Sequence, residues 1–233
     1  MASSVKTKTT ARQDKSERQM YQDIYDAVME HRLPPQTKLT EQELCNIYGL
    51  ARHDVRKVLT QLAADGLVDQ EPNRGAFIAS PSPEEAQEMF ELRESLERLV
   101  VQKVSESASQ EDLGQLKKMV ERERKAWTEG DRPTWIRLSA DFHVELARLA
   151  GNATLTTLLR RLVSRSTLLI SGIEPSRQNA CSFDEHLHIL SRLQAGDKTG
   201  AQKSMARHLQ GCAQRLTINE GKSFDLRSAL IRN

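Results

Sequence analysis

Three histidines and one pair of arginines are the residues whose types and spacing could do chemistry in this chain. His143 sits in the stretch Leu138-Ser139-Ala140-Asp141-Phe142-His143-Val144-Glu145-Leu146, which reads as part of an amphipathic helix. At about 100° per residue, Ser139 and Ala147 share the face of His143, whereas Asp141 points roughly the other way. His186 lies in Asp-Glu-His-Leu-His-Ile-Leu, with Leu187, Ile189, Leu190 and Leu193 on or beside its face, while His188 falls outside that arc. His208 shares a face with Ala201, Met205 and Cys212. Each histidine thus lies on or beside the face its own helix would bury. A single histidine of this kind is ordinarily a satisfied core residue. Three buried imidazoles without partners would cost several kcal/mol, and convergence on one divalent cation would remove that cost. Imidazole suits zinc, nickel, copper or iron. An Asp141–His143 dyad is disfavoured, because the two side chains leave a regular helix in different directions.

The arginines are Arg52 and Arg56, one turn apart in Arg-His-Asp-Val-Arg-Lys-Val-Leu-Thr-Gln-Leu. On a helical wheel Val55, Val58, Leu59 and Leu62 share one arc. Arg52, His53, Arg56 and Thr60 share the opposite one, with Lys57 at its edge and Asp54 projecting away. Such a helix can seat its apolar side on neighbours and turn its basic side into a major groove, where the arginine fork reaches guanine or clamps phosphate. A solvated basic face on an ordinary helix is the plain alternative. Net charge is +2, and residues 1–80 hold eleven Lys/Arg and eleven Asp/Glu, so any nucleic-acid reading rests on local placement of charge.

The elements that must position these groups are legible in outline. Residues 1–15 are rich in Ser, Thr and Lys and read as a mobile arm. Met20, Ile24 and Val28 recur at four-residue spacing and predict a helix from Arg18 to about His31, broken by Pro34-Pro35. Thr40 with Glu43 predicts a capping box for a second helix ending at Gly49. The basic helix follows and stops at Gly66. Leu67–Gln70 and Ala76–Ala79 read as two short strands joined by Pro-Asn-Arg-Gly, which places Arg74 and Gly75 at a hairpin tip. Ser-Pro-Ser-Pro at 80–83 is a composition break. Beyond it the pattern is helical throughout, near 84–108, 110–129, 131–150, 152–172, 182–195 and 197–219.

Leu39, Glu41, Leu44, Arg52, Val55, Arg56, Leu59, Gly66, Leu67, Val68, Arg74 and Gly75 together resemble the DNA-binding domain of the GntR family of bacterial transcriptional regulators. Gln36, Ala51, His53, Asp54 and Lys57 depart from the family pattern, and Gln36 stands where a glycine is usual. The resemblance implies operator DNA as a partner and contacts from Arg52, Arg56 and the Arg74-Gly75 wing; His53, Lys57 and Thr60 are candidates because they share or border the arginine face.

The segment from about Pro83 to Ile218 resembles the FCD domain of the FadR-type subfamily, on Phe90–Glu97, Phe142–Asn152, Asp184–Asp197 and Ala206–Leu209. That resemblance implies a metal held by His143, His186 and His208, with the usual acidic ligand replaced by Ser139. It also implies a small effector, commonly a carboxylate, in a cavity that Arg93 faces, with Ser139 at the position of the missing acid; Arg165 and Ser166, polar residues in an otherwise apolar helical stretch, are further candidates. Zinc or nickel is the expected ion.

The expected fold is mainly α: a winged helix-turn-helix domain followed by an all-α helical bundle. The expected organisation is an arm over 1–15, a DNA-binding domain over 16–79, a linker over 80–83, a helical domain over 84–220 and a tail over 221–233. The expected function is a ligand-responsive, DNA-binding regulator acting as a homodimer on a pseudo-palindromic operator, a repressor rather than an enzyme. The rivals are a metal-dependent hydrolase, for which Glu185 is the one obvious base, and a DNA-binding protein with a purely structural helical domain. No apolar run approaches the roughly 18 residues of a membrane span, and the N-terminus has no secretory apolar core, so a cytoplasmic location is expected. Cys45, Cys181 and Cys212 are too few and scattered for a disulfide framework and read as inert.

Overall fold

A computed structural model describes residues 2–30, 32–170, 182–214 and 226–230. In chain order the elements are α1 (Ala2–Met29), β1 (Lys38–Leu39), α2 (Glu41–Tyr48), α3 (Arg52–Ala64), β2 (Val68–Glu71), β3 (Gly75–Ile78), α4 (Pro83–Ser107), α5 (Gln110–Thr128), α6 (Arg132–Leu149), α7 (Ala153–Ile170), α8 (Ser182–Gln194), α9 (Lys198–Gln214) and α10 (Leu226–Leu230). The chain forms two compact units, one from Met1–Ser80 with Glu220–Asn233, the other from Pro81–Asn219.

In the first unit α1, α2 and α3 surround an aliphatic core. Met20, Ile24 and Val28 are fully buried, as their spacing predicted, and Leu44, Val55, Leu59 and Leu62 are buried too, with α3 packed on both α1 and α2. Three antiparallel strands in the order β1-β3-β2 close one side, with Leu39 opposite Ala76 and Val68 opposite Ile78. The wing hairpin is therefore the expected one, with a two-residue third strand added at its edge. The β2–β3 turn places Asn73 at φ 64° and Gly75 at φ 106°, backbone that glycine and asparagine adopt most readily. Gln36 is also left-handed, at φ 63°, pinned by its amide donating to the Ile78 carbonyl at 2.9 Å.

Three expectations differ. Helix α1 begins at Ala2, so the segment read as an arm is continuous with the first helix; no proline or glycine interrupts residues 2–29. Thr40 is the N-cap of α2 but its side chain makes no cap hydrogen bond, so the Thr40–Glu43 box does not form. The tail is not simply trailing chain: α10 packs on α1, with Leu226, Ala229 and Leu230 buried, and Arg32 Nη1 donates to the Ala229 carbonyl.

The second unit is a helical bundle in which α5 packs on α6 and α8, α4 on α7 and α9, and α8 on α9. Polar side chains define the starts. Ser82 accepts from the Glu85 amide, Asp131 from Thr134, and Asn152 from Leu155. Ser109 and Asp112 form a reciprocal capping box at α5, 3.1 Å and 2.9 Å. Gly130, Gly151 and Gly196, all with φ near 70°, end α5, α6 and α8. Val100, Val104, Leu116, Val120, Phe142, Leu146, Leu159, Val163, Ile189 and Leu209 fill the interior, and the histidines sit among them. Cys181, the Gly172–Asn179 stretch and most of the tail fall outside the described residues.

Candidate metal centre and nucleic-acid interface

Helix α3 buries Val55, Val58, Leu59 and Leu62 against α1 and α2 and leaves Arg52, His53, Arg56, Lys57 and Thr60 exposed. Gly49, left-handed at φ 65°, ends α2 and lets the chain turn into α3. Arg74 and Gly75 are exposed at the hairpin tip, and Arg74 lies 5.5 Å from the Phe77 ring centroid. All seven residues expected at a DNA face are therefore solvent-facing. The sequence did not signal that each cation has an acidic partner at home. Glu41 holds both arginines, 2.7 Å from Arg56 and 3.5 Å from Arg52. Glu17 takes Lys57 at 2.6 Å, Glu71 takes Arg74, and the buried Asp54 takes His53 at 2.8 Å. Exposed pairs of this kind contribute little to stability, so phosphate oxygens can replace the carboxylates at small cost.

In the helical unit, His143 from α6, His186 from α8 and His208 from α9 meet. His208 Nε2 stands 3.2 Å from His143 Nε2 and 3.3 Å from His186 Nε2. One ligand atom from each lies within 4.8 Å of the others, and all three residues are buried. Nitrogens bound tetrahedrally at 2.0–2.1 Å around zinc stand about 3.3 Å apart, so the spacing fits one ion.

The opposite ring nitrogens make the fit specific. His143 Nδ1 meets Glu97 at 2.5 Å, His186 Nδ1 meets Glu123 at 2.9 Å, and His208 Nδ1 meets Glu185 at 2.7 Å. Each carboxylate accepts a hydrogen bond from Nδ1–H, which fixes the tautomer and turns Nε2 inward. Three lone pairs converging in a dry interior repel one another unless a metal ion sits between them or one ring takes up a proton. Phe142 stacks on His186 with centroids 4.0 Å apart and holds that ring in place.

The electrostatics agree with this geometry. Burial pulls His143 down to about 3 despite Glu97, so it is a neutral ring. Burial lowers His186 as well, against the opposing pull of Glu123. Burial also acts downward on His208, but a negatively charged Cys212 sulfur and Glu185 outweigh it and push it up to about 10. The centre without metal keeps its one proton on the imidazole that touches both other rings. Glu97 is held at about 2 against the upward pull of burial, by His143 and Arg93.

Arg93 is buried, not an exposed helix-surface pair. Its Nε donates to Glu97 at 2.8 Å and its Nη1 to Ser166 at 2.9 Å, while Nη2 is buried with no hydrogen-bond partner among the described residues. Ser166 thus reaches the centre through Arg93. Arg165, its neighbour, instead grips Glu85 on the first turn of α4 with Nε and, at 3.2 Å, Nη2. The structure does not bring Arg165 to the histidines, because successive helical residues point about 100° apart. Ser139 is half-buried one turn before His143. Glu97 and Glu123 were missed by sequence reading. Both sit at buried positions of otherwise charged helices, a signal visible only once the facing histidines are known.

Comparison with known proteins agrees. Residues 88–211 match the FCD domain and residues 16–78 match the bacterial regulatory proteins of the gntR family. The chain is 26% identical over 208 residues to the HTH-type transcriptional regulator YdhC of Bacillus subtilis, covering 88% of this chain and 93% of the relative. It is 23% identical over 202 residues to the HTH-type transcriptional repressor RspR of Escherichia coli, covering 82% and 85%. Among solved structures, E. coli McbR/YncC superposes with a TM-score of 0.71 at 21% identity, covering 84% of this chain and 93% of that one. A GntR regulator from Rhodococcus sp. RHA1 gives 0.73 at 20% identity, covering 86% and 96%. The chain belongs to the gntR family of bacterial transcriptional regulators, in the group whose C-terminal half is an FCD domain.

Proposed function

We propose that this regulator represses transcription as a homodimer on a pseudo-palindromic operator, and that a divalent transition metal in its helical unit forms the floor of an effector site. The observation that carries the reading is the convergence of three Nε2 atoms, each backed through Nδ1 by a carboxylate. His143, His186 and His208 would hold the ion, zinc or nickel by their donor type. When bound, the metal supplies a Lewis-acidic position for an oxygen of the effector. Arg93 supports a carboxylate effector through Nη2, a buried donor without a hydrogen-bond partner among the described residues. Ser139 fits the rim of that site, and Arg165 fits a supporting role through Glu85. Arg52, His53, Arg56, Lys57 and Thr60 of α3 would read the operator, with Arg74 and Gly75 touching its backbone. A cytoplasmic location follows from this role, and no helix among the described residues is long and apolar enough to cross a membrane.

The effector moves the repressor only so far as it prefers one arrangement of the DNA-binding heads. The test is metal analysis of the purified protein, a salt-dependent DNA shift, and a thermal screen of small organic acids with metal present. The reading requires about one ion per chain, DNA binding that weakens steeply with salt, and metal-dependent stabilisation by at least one acid. Failure of DNA to bind at low salt, or metal-free protein that cannot be loaded, overturns it.

A further inference from the structure

The three histidines leave a fourth tetrahedral position, and the residue one turn before His143, where a carboxylate would complete the set, is Ser139. The centre therefore lacks a charged ligand from α6. Another residue stands close to it. Cys212 follows His208 by one turn of α9, on the same helical face, and its Sγ lies 3.8 Å from His208 Nε2. A sulfur bound at about 2.3 Å and a nitrogen at about 2.05 Å on one tetrahedral ion are about 3.6 Å apart. The observed spacing is within a few tenths of an ångström of that value. His208 Nε2 is also the atom nearest both other rings, whereas Sγ does not yet lie within 4.8 Å of all three ring nitrogens, so the sulfur must turn inward to join them. Cys212 is half-buried and in no disulfide, so its sulfur is available for coordination.

We infer that Cys212 is a metal ligand, and that this chain builds a three-histidine, one-thiolate centre in which a sulfur from α9 replaces the absent carboxylate from α6. The inference rests on the metal reading above and refines it. Binding exchanges protons for the metal: the extra N–H bond of His208 breaks as its Nε2 binds, any S–H bond of Cys212 breaks as the sulfur binds as thiolate, and the protons leave to solvent. The thiolate brings one negative charge to a dication held by three neutral rings. It also shifts the preference toward softer ions such as zinc and cobalt, and away from magnesium or manganese. An effector carboxylate then reaches the metal by displacing the sulfur or by adding as a fifth ligand.

The test is titration of the full-length, metal-stripped protein with cobalt(II), followed by absorption spectroscopy. A thiolate ligand gives a near-ultraviolet sulfur-to-cobalt charge-transfer band that histidine and carboxylate ligands do not give. The band appears in the wild type and in Cys45→Ser and Cys181→Ser, and disappears in Cys212→Ser and Cys212→Ala. Cobalt affinity in both Cys212 variants falls at least about tenfold, no less than is usual for removing an outer-sphere partner. Circular dichroism checks that each variant remains folded. Cobalt bound without the band, or a band lost in Cys181→Ser and kept in Cys212→Ser, overturns the thiolate and leaves the histidine centre standing. Absence of any cobalt binding overturns both.

Discussion

Replacing Glu123 by glutamine isolates the contribution of one buried charge to ion binding. Glu123 is fully buried on α5, and its Oε2 accepts from His186 Nδ1 at 2.9 Å. Glu123→Gln keeps the shape and an acceptor oxygen but removes the charge that makes Nε2 a better donor to metal. Loss of such an outer-sphere partner costs about 10- to 100-fold in metal affinity, or about 1.4–2.7 kcal/mol. The same charge is unfavourable when no metal is present, because a buried carboxylate gives up its hydration. The metal-free variant is therefore expected to be no less stable than metal-free wild type, while the metal-loaded variant is less stable. With metal at a hundred times the wild-type dissociation constant, binding stabilises the wild type by about 2.7 kcal/mol. A tenfold weaker site retains about 1.4 kcal/mol and a hundredfold weaker one about 0.4 kcal/mol. At about 2–4 °C per kcal/mol, the metal-induced rise in melting temperature shrinks by roughly 3–9 °C. Chelator competition gives the affinity, and paired melts with EDTA or zinc give the shift. Unchanged affinity in Glu123→Gln, alongside lost binding in His186→Gln, would refute the idea that the carboxylate tunes the ion site.

Glu41→Gln releases Arg52 and Arg56 from their shared partner and is expected to tighten DNA binding, most visibly at low salt in a fluorescence anisotropy titration. Arg56→Ala weakens it, and if Arg56 meets a phosphate the log–log salt slope falls by about 0.9. Gln36→Gly leaves the melting temperature unchanged or slightly raised, because relief of the left-handed backbone at φ 63° offsets the entropy of glycine; Gln36→Val lowers stability by about 1–2 kcal/mol. Metal-stripped protein should be most stable near pH 6.5, roughly the unfolded histidine value. Below it the unfolded chain binds protons that His143 and His186, both lowered by burial, refuse in the fold, so stability falls with acid. Above it His208, raised to about 10 once Cys212 and Glu185 overcome burial, holds a proton the unfolded chain has lost, so stability falls as pH rises toward that value. Urea melts in EDTA that are flat from pH 5 to 9 would contradict this.

The helical framework was legible because its signals are local. The four-residue recurrence of Met20, Ile24 and Val28, the cap at Ser109, and the glycines at 130, 151 and 196 belong to single elements and need no neighbours. The inward aim of His143, His186 and His208 is likewise a property of each helix alone. Their carboxylate partners were not legible. Glu97 is 46 residues from His143 and Glu123 is 63 from His186, so the pairings exist only after α4 and α5 dock. Arg93 and Glu97 show the same limit. An i, i+4 ion pair has the same sequence pattern on a surface or in a core, and only burial separates a weak surface pair from one that anchors His143. The acidic partners of the α3 cations were hidden likewise, since Glu17 and Glu41 lie on other helices. Strand β1, two residues long, has no pattern of its own and exists because β3 offers it an edge.

The return of α10 to α1 makes the first unit discontinuous in sequence, its two pieces separated by the whole of Pro81–Asn219. During synthesis the N-terminal portion leaves the ribosome first, yet its second piece, with Leu226, Ala229 and Leu230, is translated only after Pro81–Asn219. The reading head is therefore completed only after the whole helical unit has been made, so a chain stalled inside that unit carries an unfinished DNA-binding domain.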